Sequence, residues 1–175
     1  VGNIITKDYF IKEKNFNDKT INLYNKYNIS LPVRFHDYKD VSNNFPVNNF
    51  ELHLSYMELL NQQPKINFLK NHNYTIHVPD YISSTELINP FSSNYLIRKK
   101  SYKIIKNAKK LAKYLSKLTK KKIILISSIS NLENLDKNIF YKKCKTFQKN
   151  FNCKYASFTF QILPPFAWYF GGSFK

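Results

Sequence analysis

Histidines are the residues of this chain best suited to chemistry, and three of its four lie near the ends of short apolar segments. The segments span 32–36, 50–55 and 74–79, and their histidines are His36, His53 and His77. Since side chains alternate between the two faces of a strand, each histidine is expected on the polar face. Imidazoles grouped in this way can transfer protons, or hold an ion such as Zn²⁺ with one coordination position open.

Two charged residues accompany these histidines on the polar faces of the predicted strands. Arg34 shares a face with His36, and Glu51 shares one with His53. An arginine in such a place is suited to holding a carboxylate or phosphate. We expect Glu51 to lie one layer deeper and to orient a histidine.

Further strands and helices alternate along the rest of the chain. Continuous apolar residues predict a strand over 122–128, and alternation predicts another over 155–162. Helices are predicted over 17–28, 64–71 and 136–150, with a turn or two within 37–49 and 56–62. The longest helix is expected to begin with Ser92 or Ser93 as its cap. Its apolar stripe, with steps of 4, 3, 4 and 3, consists of Ile104, Ala108, Leu111, Leu115 and Leu118.

Alternating strands and helices predict an α/β fold with a parallel sheet. From the first three strands alone, an antiparallel sheet with one wet face stays open as an alternative. Polar residues on one face and apolar residues on the other favour a barrel with helices on its outer face. About five strands are present where a closed barrel needs eight. We therefore predict a partial (β/α)₈ TIM barrel over 15–175, with 1–14 as a linker from a preceding domain.

The formal net charge of +17 suits a polyanionic partner such as nucleic acid. Arg34 and Arg98 are the only arginines, however, and nucleic-acid readers rely on arginine for bidentate contacts. The abundance of Lys, Asn, Ile, Tyr and Phe together is typical of AT-rich genomes. We therefore expect the charge to be spread over solvated helix faces rather than gathered in one groove, and we do not expect nucleic acid as a partner.

No stretch of the sequence approaches the roughly 18 apolar residues of a membrane span, so no membrane partner is expected. Cys144 and Cys153 match no metal-binding spacing. We expect them to be reduced thiols of a cytoplasmic protein.

The segment after the last predicted strand is rich in proline, aromatic residues and glycine, running Leu-Pro-Pro-Phe-Ala-Trp-Tyr-Phe-Gly-Gly over 163–172. Gly171 and Gly172 allow a backbone to approach a ligand closely. Aromatic side chains such as Trp168 are suited to stacking on a sugar face.

Four segments, in order, resemble a sugar phosphate isomerase/epimerase-like module with a xylose isomerase-like TIM barrel. They are Pro-Val-Arg-Phe-His-Asp at 32–37, Phe-Glu-Leu-His-Leu-Ser-Tyr at 50–56, Ile-His-Val-Pro-Asp at 76–80, and the segment from Gln161 to Gly172. Modules of this kind are attached to N-acetylneuraminate (sialic acid) synthase-type proteins of bacteria. Asp80 and Tyr169 stand where that pattern has Glu and His.

The resemblance implies a carbohydrate or sugar phosphate at the barrel mouth, with the rest of the barrel and a fused synthase domain as further partners. It implies that His36, His53 and His77 act as catalytic residues, and a divalent metal, Zn or Mn, held by the same histidines. The residues expected to bind substrate are Arg34, Glu51, Gln161, Trp168, Gly171 and Gly172.

Three classes of function remain open from the sequence. The first is a sugar isomerase or epimerase-like domain of nonulosonic acid biosynthesis. The second is a non-catalytic sugar-binding module fused to a synthase. The third is a basic nucleic-acid-binding or endonuclease-like barrel, which would need more carboxylates than this chain shows.

Overall fold

The computed structural model describes residues 18–60, 67–129 and 131–162. The proposed linker at 1–14 and the segment 163–175 lie outside these ranges. The helices are α1 (Asp18–Lys26), α2 (Tyr38–Asn44), α3 (Tyr56–Leu60), α4 (Tyr95–Thr119) and α5 (Lys137–Phe151). The strands are β1 (Leu31–Val33), β2 (Asn49–His53), β3 (Asn73–Val78), β4 (Ile123–Ile129) and β5 (Ala156–Ile162).

The five strands form one sheet in the order β1-β2-β3-β4-β5, and every neighbouring pair is parallel. The predicted parallel α/β sheet is therefore confirmed, and the antiparallel alternative is wrong. The pairing register aligns Glu51 with Thr75, and His53 with His77. This register sets polar residues of neighbouring strands side by side in rows across one face.

The opposite face of the sheet is apolar and carries the helices. Leu52, Ile76, Leu125 and Phe158 form one row across four strands and are fully or almost fully buried. The predicted stripe of α4 packs against this face, with Ile104, Ala108, Leu111 and Leu115 all buried in the same core. Amphipathic helices and a two-faced sheet thus bury their apolar sides together.

The polar face of the sheet is open around Ile124 and His53 in the described ranges. Ile124 points to this face and is 43% exposed, although it lies in a central strand. Parallel sheets are usually covered on both faces. A parallel sheet in chain order, with helices on one face, is compatible with part of a (β/α)₈ barrel.

Strand β1 ends at Val33, three residues earlier than the predicted end at His36. The backbone N–H of Arg34 donates to Asp37 Oδ1 at 2.6 Å, and that of Phe35 donates to Glu58 Oε1 at 3.3 Å. Because carboxylates bind these amide hydrogens, they are unavailable to a strand ladder and the chain turns into α2.

The structure also corrects two predicted helix boundaries. Residues 67–71, predicted as the end of a helix, are not helical. There the Leu69 N–H donates to the hydroxyls of Tyr38 and Tyr74 instead of to a helical carbonyl. The cap of α4 is Asn94, whose side chain accepts from the N–H groups of Leu96 and Ile97, and not Ser92 or Ser93.

None of the helices in the ranges above combines the length and apolar character required to cross a membrane.

Candidate metal centre on the polar face of the sheet

Glu51, His53 and His77 meet on the polar face of the sheet. Their ligand atoms, one from each side chain, all lie within 4.8 Å of one another. Glu51 and His53 are two residues apart on β2 and therefore share a face. His77 is the residue of β3 that pairs with His53. Strand alternation and parallel register together build this cluster at the carboxyl ends of two central strands.

His53 is held by contacts with the other two members of the cluster. Its Nε2 lies 2.7 Å from Glu51 Oε1, and its ring centroid lies 4.2 Å from that of His77, with the planes tilted by 31°. The His53 side chain is 45% exposed, whereas His77 is buried. The cluster thus has a fixed inner histidine and an outer one that solvent or a ligand can reach.

A short hydrogen-bonded chain supports His77 from the neighbouring strands. Ser128 Oγ lies 3.3 Å from His77 Nε2 and donates to Gln161 Oε1 at 3.2 Å. This contact holds the His77 ring in place from the neighbouring strand, and one ring nitrogen of His77 is its ligand atom in the cluster.

The Glu51 carboxylate is held in its charged form by its surroundings. The hydrogen bond from His53 lowers the pKa of Glu51 below its usual value, and the nearby charges of His53 and His77 add to this, while partial burial opposes it. Glu51 is therefore an anion at neutral pH. An anion next to two imidazoles orients them, and it attracts a cation.

The lowered pKa of Glu51 predicts a particular acid sensitivity. A carboxyl group whose pKa is lower in the folded than in the unfolded state stabilises the fold above its ordinary pKa of about 4.5, and this stabilisation is lost as the pH falls through the folded value. Glu51→Gln is therefore expected to flatten the acid side of the curve of unfolding free energy against pH. Urea unfolding between about pH 6 and about pH 3 measures it. Parallel curves for the two proteins would show that folding does not lower the pKa of Glu51.

Two buried polar atoms, one within β3 and one just beyond it, lack hydrogen-bond partners in the described ranges. One is Oγ1 of Thr75, which pairs in register with Glu51 and points to the same face. The other is Oδ1 of Asp80, two residues beyond the end of β3. Buried polar atoms normally have a partner, so these groups are available to a ligand or to water.

His36 and Arg34 lie outside this cluster. Both follow the end of β1 and are exposed, and the group of potential metal ligands does not include His36. Arg34 Nη1 lies 3.5 Å from Glu58 Oε2. The predicted triad of histidines is therefore replaced in the structure by two histidines and Glu51, because β1 ends before it reaches His36.

Of the remaining predicted site residues, the structure describes Gln161 alone. It reaches the cluster through Ser128, as the alternation of β5 implies. Trp168, Gly171 and Gly172 lie outside the described residues. Ser128 was missed by the sequence analysis because the strand was identified from its apolar residues. Its position at the carboxyl end of the strand, on the face of Ile124 and Ile126, is the signal that identifies it.

The donor set of the cluster suits a divalent transition metal. One carboxylate and two imidazoles are ligands that Zn²⁺ uses in catalytic sites, and Mn²⁺ accepts the same types. Ligand atoms around a tetrahedral Zn²⁺ with bonds of about 2.0–2.2 Å lie about 3.3–3.6 Å apart. The three ligand atoms here lie within 4.8 Å of one another, a grouping of similar size.

Comparisons of the chain with protein-family models, with curated proteins and with solved structures found no match.

Proposed function

We propose that this chain contributes the metal centre of a (β/α)₈ barrel that binds a carbohydrate or sugar phosphate and acts as an isomerase or epimerase. The observation that carries the proposal is the convergence of Glu51, His53 and His77 at the carboxyl ends of parallel strands. Active sites of barrels lie at this end of the strands. The four segments that resemble an isomerase/epimerase-like module supply the substrate class.

The barrel architecture is part of the proposal. Its support is the chain-order parallel sheet, the single helical layer and the open polar face. In the described ranges β1 pairs only with β2, and β5 pairs only with β4, so both strands have a free edge. Three further strand–helix units would join these edges and enclose the polar face. A fused synthase domain of nonulosonic acid biosynthesis is the proposed setting.

Each residue of the cluster has a distinct proposed role. His53 is the accessible ligand, since it is exposed and its ring is oriented by Glu51. His77 is the anchored ligand, since it is buried and its ring is held by the Ser128 hydroxyl. A divalent metal bound here would polarise the carbonyl oxygen of the sugar. A base next to a polarised carbonyl is what proton transfer at the adjacent carbon requires.

Proton exchange with solvent tests the proposed reaction. The protein is incubated in D₂O with Zn²⁺ or Mn²⁺ and with aldoses, ketoses and their phosphates, and NMR follows deuterium entering the carbon next to the carbonyl. We expect exchange with at least one sugar, and a fall of at least about 100-fold in His53→Ala because a ligand of the metal that would polarise the carbonyl is lost. His36→Ala is the matched control and should keep the wild-type rate. Exchange that is equal in wild type and His53→Ala would contradict the assigned role.

A non-catalytic sugar-binding module is the second candidate. The observation that favours it is the scarcity of carboxylates, since Glu51 alone provides one to the described cluster. This function predicts that sugars bind with the same dependence on His77, yet no deuterium enters them. The exchange experiment, together with calorimetry on the same sugars, separates the two functions.

A further inference from the structure

A groove of about 930 Å³ runs between α4 and α5 on the side of the molecule away from the polar face. Its floor is apolar and includes Ile105 and Phe147, which are also part of the core. The lining of α4 extends from Arg98 to Lys109, which at a rise of about 1.5 Å per residue makes the groove about 16 Å long. We call it the basic groove, and define it by Arg98, Tyr102, Lys106, Lys109, Lys142 and Lys143.

Positive charge lines both walls of the basic groove. Helices α4 and α5 carry half of the chain's 28 lysines and arginines and none of its 11 aspartates and glutamates. Glu133 is the only acidic residue among the described residues of the lining, and it accepts hydrogen bonds from the hydroxyls of Ser92 and Ser93 at 3.0 and 2.9 Å. The charge is thus partly gathered in one groove, which differs from the expectation of an even spread.

Four of the five cations that line the basic groove are of two kinds, and the fifth, Lys143, interacts electrostatically with Glu133. Arg98 donates to the carbonyl oxygen of Ser92 at 2.5 Å, and Lys109 donates to that of Phe151 at 2.6 Å. These two cations therefore already have partners at the two ends of the groove. Lys106 and Lys142 form no hydrogen bond or ion pair with any residue in the described ranges. Since Lys106 lies on α4 and Lys142 on α5, an unpaired ammonium group stands on each wall.

We propose that the basic groove binds an acidic amphipathic α-helix of a partner protein. The groove is open along its length, with Tyr102 39% exposed and Ile139, on the α5 side, 51% exposed. An apolar floor between two basic walls is complementary to a helix that carries an apolar stripe flanked by carboxylates. About three turns of helix match the length of the groove.

Two other occupants fit the groove less well. A second copy of this chain also carries a formal net charge of +17, so it would be repelled by the basic walls. Nucleic acid would meet an apolar floor, and Arg98, the only arginine of the groove, already donates to the carbonyls of Ser92 and Ser93. Bidentate contacts to phosphates or bases would require it to be free.

Fluorescence anisotropy with a designed peptide tests the proposal. The probe is a labelled helix of about 15 residues with leucines at i, i+3, i+4 and i+7 and glutamates on both sides, compared with a scrambled peptide of equal composition. The groove variant is Lys106→Glu/Lys142→Glu. The matched control is Lys110→Glu/Lys145→Glu, which changes two exposed lysines of the same helices outside the groove. Thermal melts followed by circular dichroism verify that each variant folds.

We expect the groove variant to bind the helix at least about tenfold more weakly than wild type, and the control less than about threefold more weakly, since only the groove lysines face the peptide. The scrambled peptide should bind wild type at least about tenfold more weakly than the helix. Equal losses in the two variants, or equal binding of the two peptides, would overturn the proposal in favour of diffuse attraction. Tighter binding of labelled (dT)₁₅, or of phosphatidylglycerol vesicles, lost in the groove variant, would assign the groove to nucleic acid or lipid instead.

Discussion

Replacing His77 by alanine is expected to weaken Zn²⁺ binding by at least about 100-fold, since it removes one of the three ligands that the structure brings together. The same loss is expected for His53→Ala and Glu51→Gln. Isothermal titration calorimetry with ZnCl₂, and in parallel with MnCl₂, gives the affinities. Ser128→Ala acts through His77, so it should weaken binding by about 10–100-fold, as is usual for residues that orient a ligand.

His36→Ala is the matched control for these variants. It removes an imidazole from the end of an alternating segment, as the other histidine variants do, but His36 lies outside the cluster. Its affinity for Zn²⁺ should remain within about twofold of wild type, because surface substitutions away from a site change little. His53→Ala is the more informative of the two histidine variants, since His53 is exposed and its loss does not disturb the core.

Two results would contradict the metal centre. If His36→Ala weakens binding as much as His77→Ala, the ion is held by the three histidines predicted from the sequence, and not by Glu51. If wild type binds neither ion, the Glu51–His53 pair is a metal-free acid–base pair. In that second case, deuterium exchange that persists in metal-free buffer would show that the pair acts alone.

The shared face of Glu51, His53 and His77 was predictable because the alternation of side chains along a strand is a local property of the sequence. Alternation alone places Glu51 and His53 on one face, and the same rule places His77 on the matching face of the next strand. Parallel pairing in chain order then brings these residues side by side. The predicted strands lie within two residues of the observed ones for β2 to β5, because their apolar runs are bounded by polar residues.

The position of His36 was not predictable by the same rule. The segment 32–36 alternates as a strand should, but Glu58 binds the N–H of Phe35 from a different part of the chain, 23 residues away. Asp37 binds the N–H of Arg34 in the same turn. A local pattern contains no information on a carboxylate that arrives from another helix, so the strand appeared longer in the sequence than it is in the fold.

The two faces of the sheet should respond very differently to the loss of an aliphatic side chain. Leu125 and Ile124 are neighbours on β4, but Leu125 is 0% exposed beneath the helices, whereas Ile124 is 43% exposed on the polar face. Leu125→Ala is expected to lower the free energy of unfolding by about 2–5 kcal/mol through lost burial and the cavity it leaves. Ile124→Ala should cost about 1 kcal/mol or less. Urea unfolding followed by circular dichroism measures both.

Equal losses from Leu125→Ala and Ile124→Ala would mean that the polar face is covered in solution. The concentration dependence of the unfolding midpoint then identifies the cover, because stability supplied by a second copy rises with protein concentration and stability supplied from within the chain does not. The expected difference in stability between Leu125→Ala and Ile124→Ala also bears on the site, because an open polar face leaves His53 accessible to solvent. Addition of three strand–helix units should bury Ile124 and raise the cost of Ile124→Ala toward that of Leu125→Ala. The same units should enclose the cluster of Glu51, His53 and His77 within the barrel.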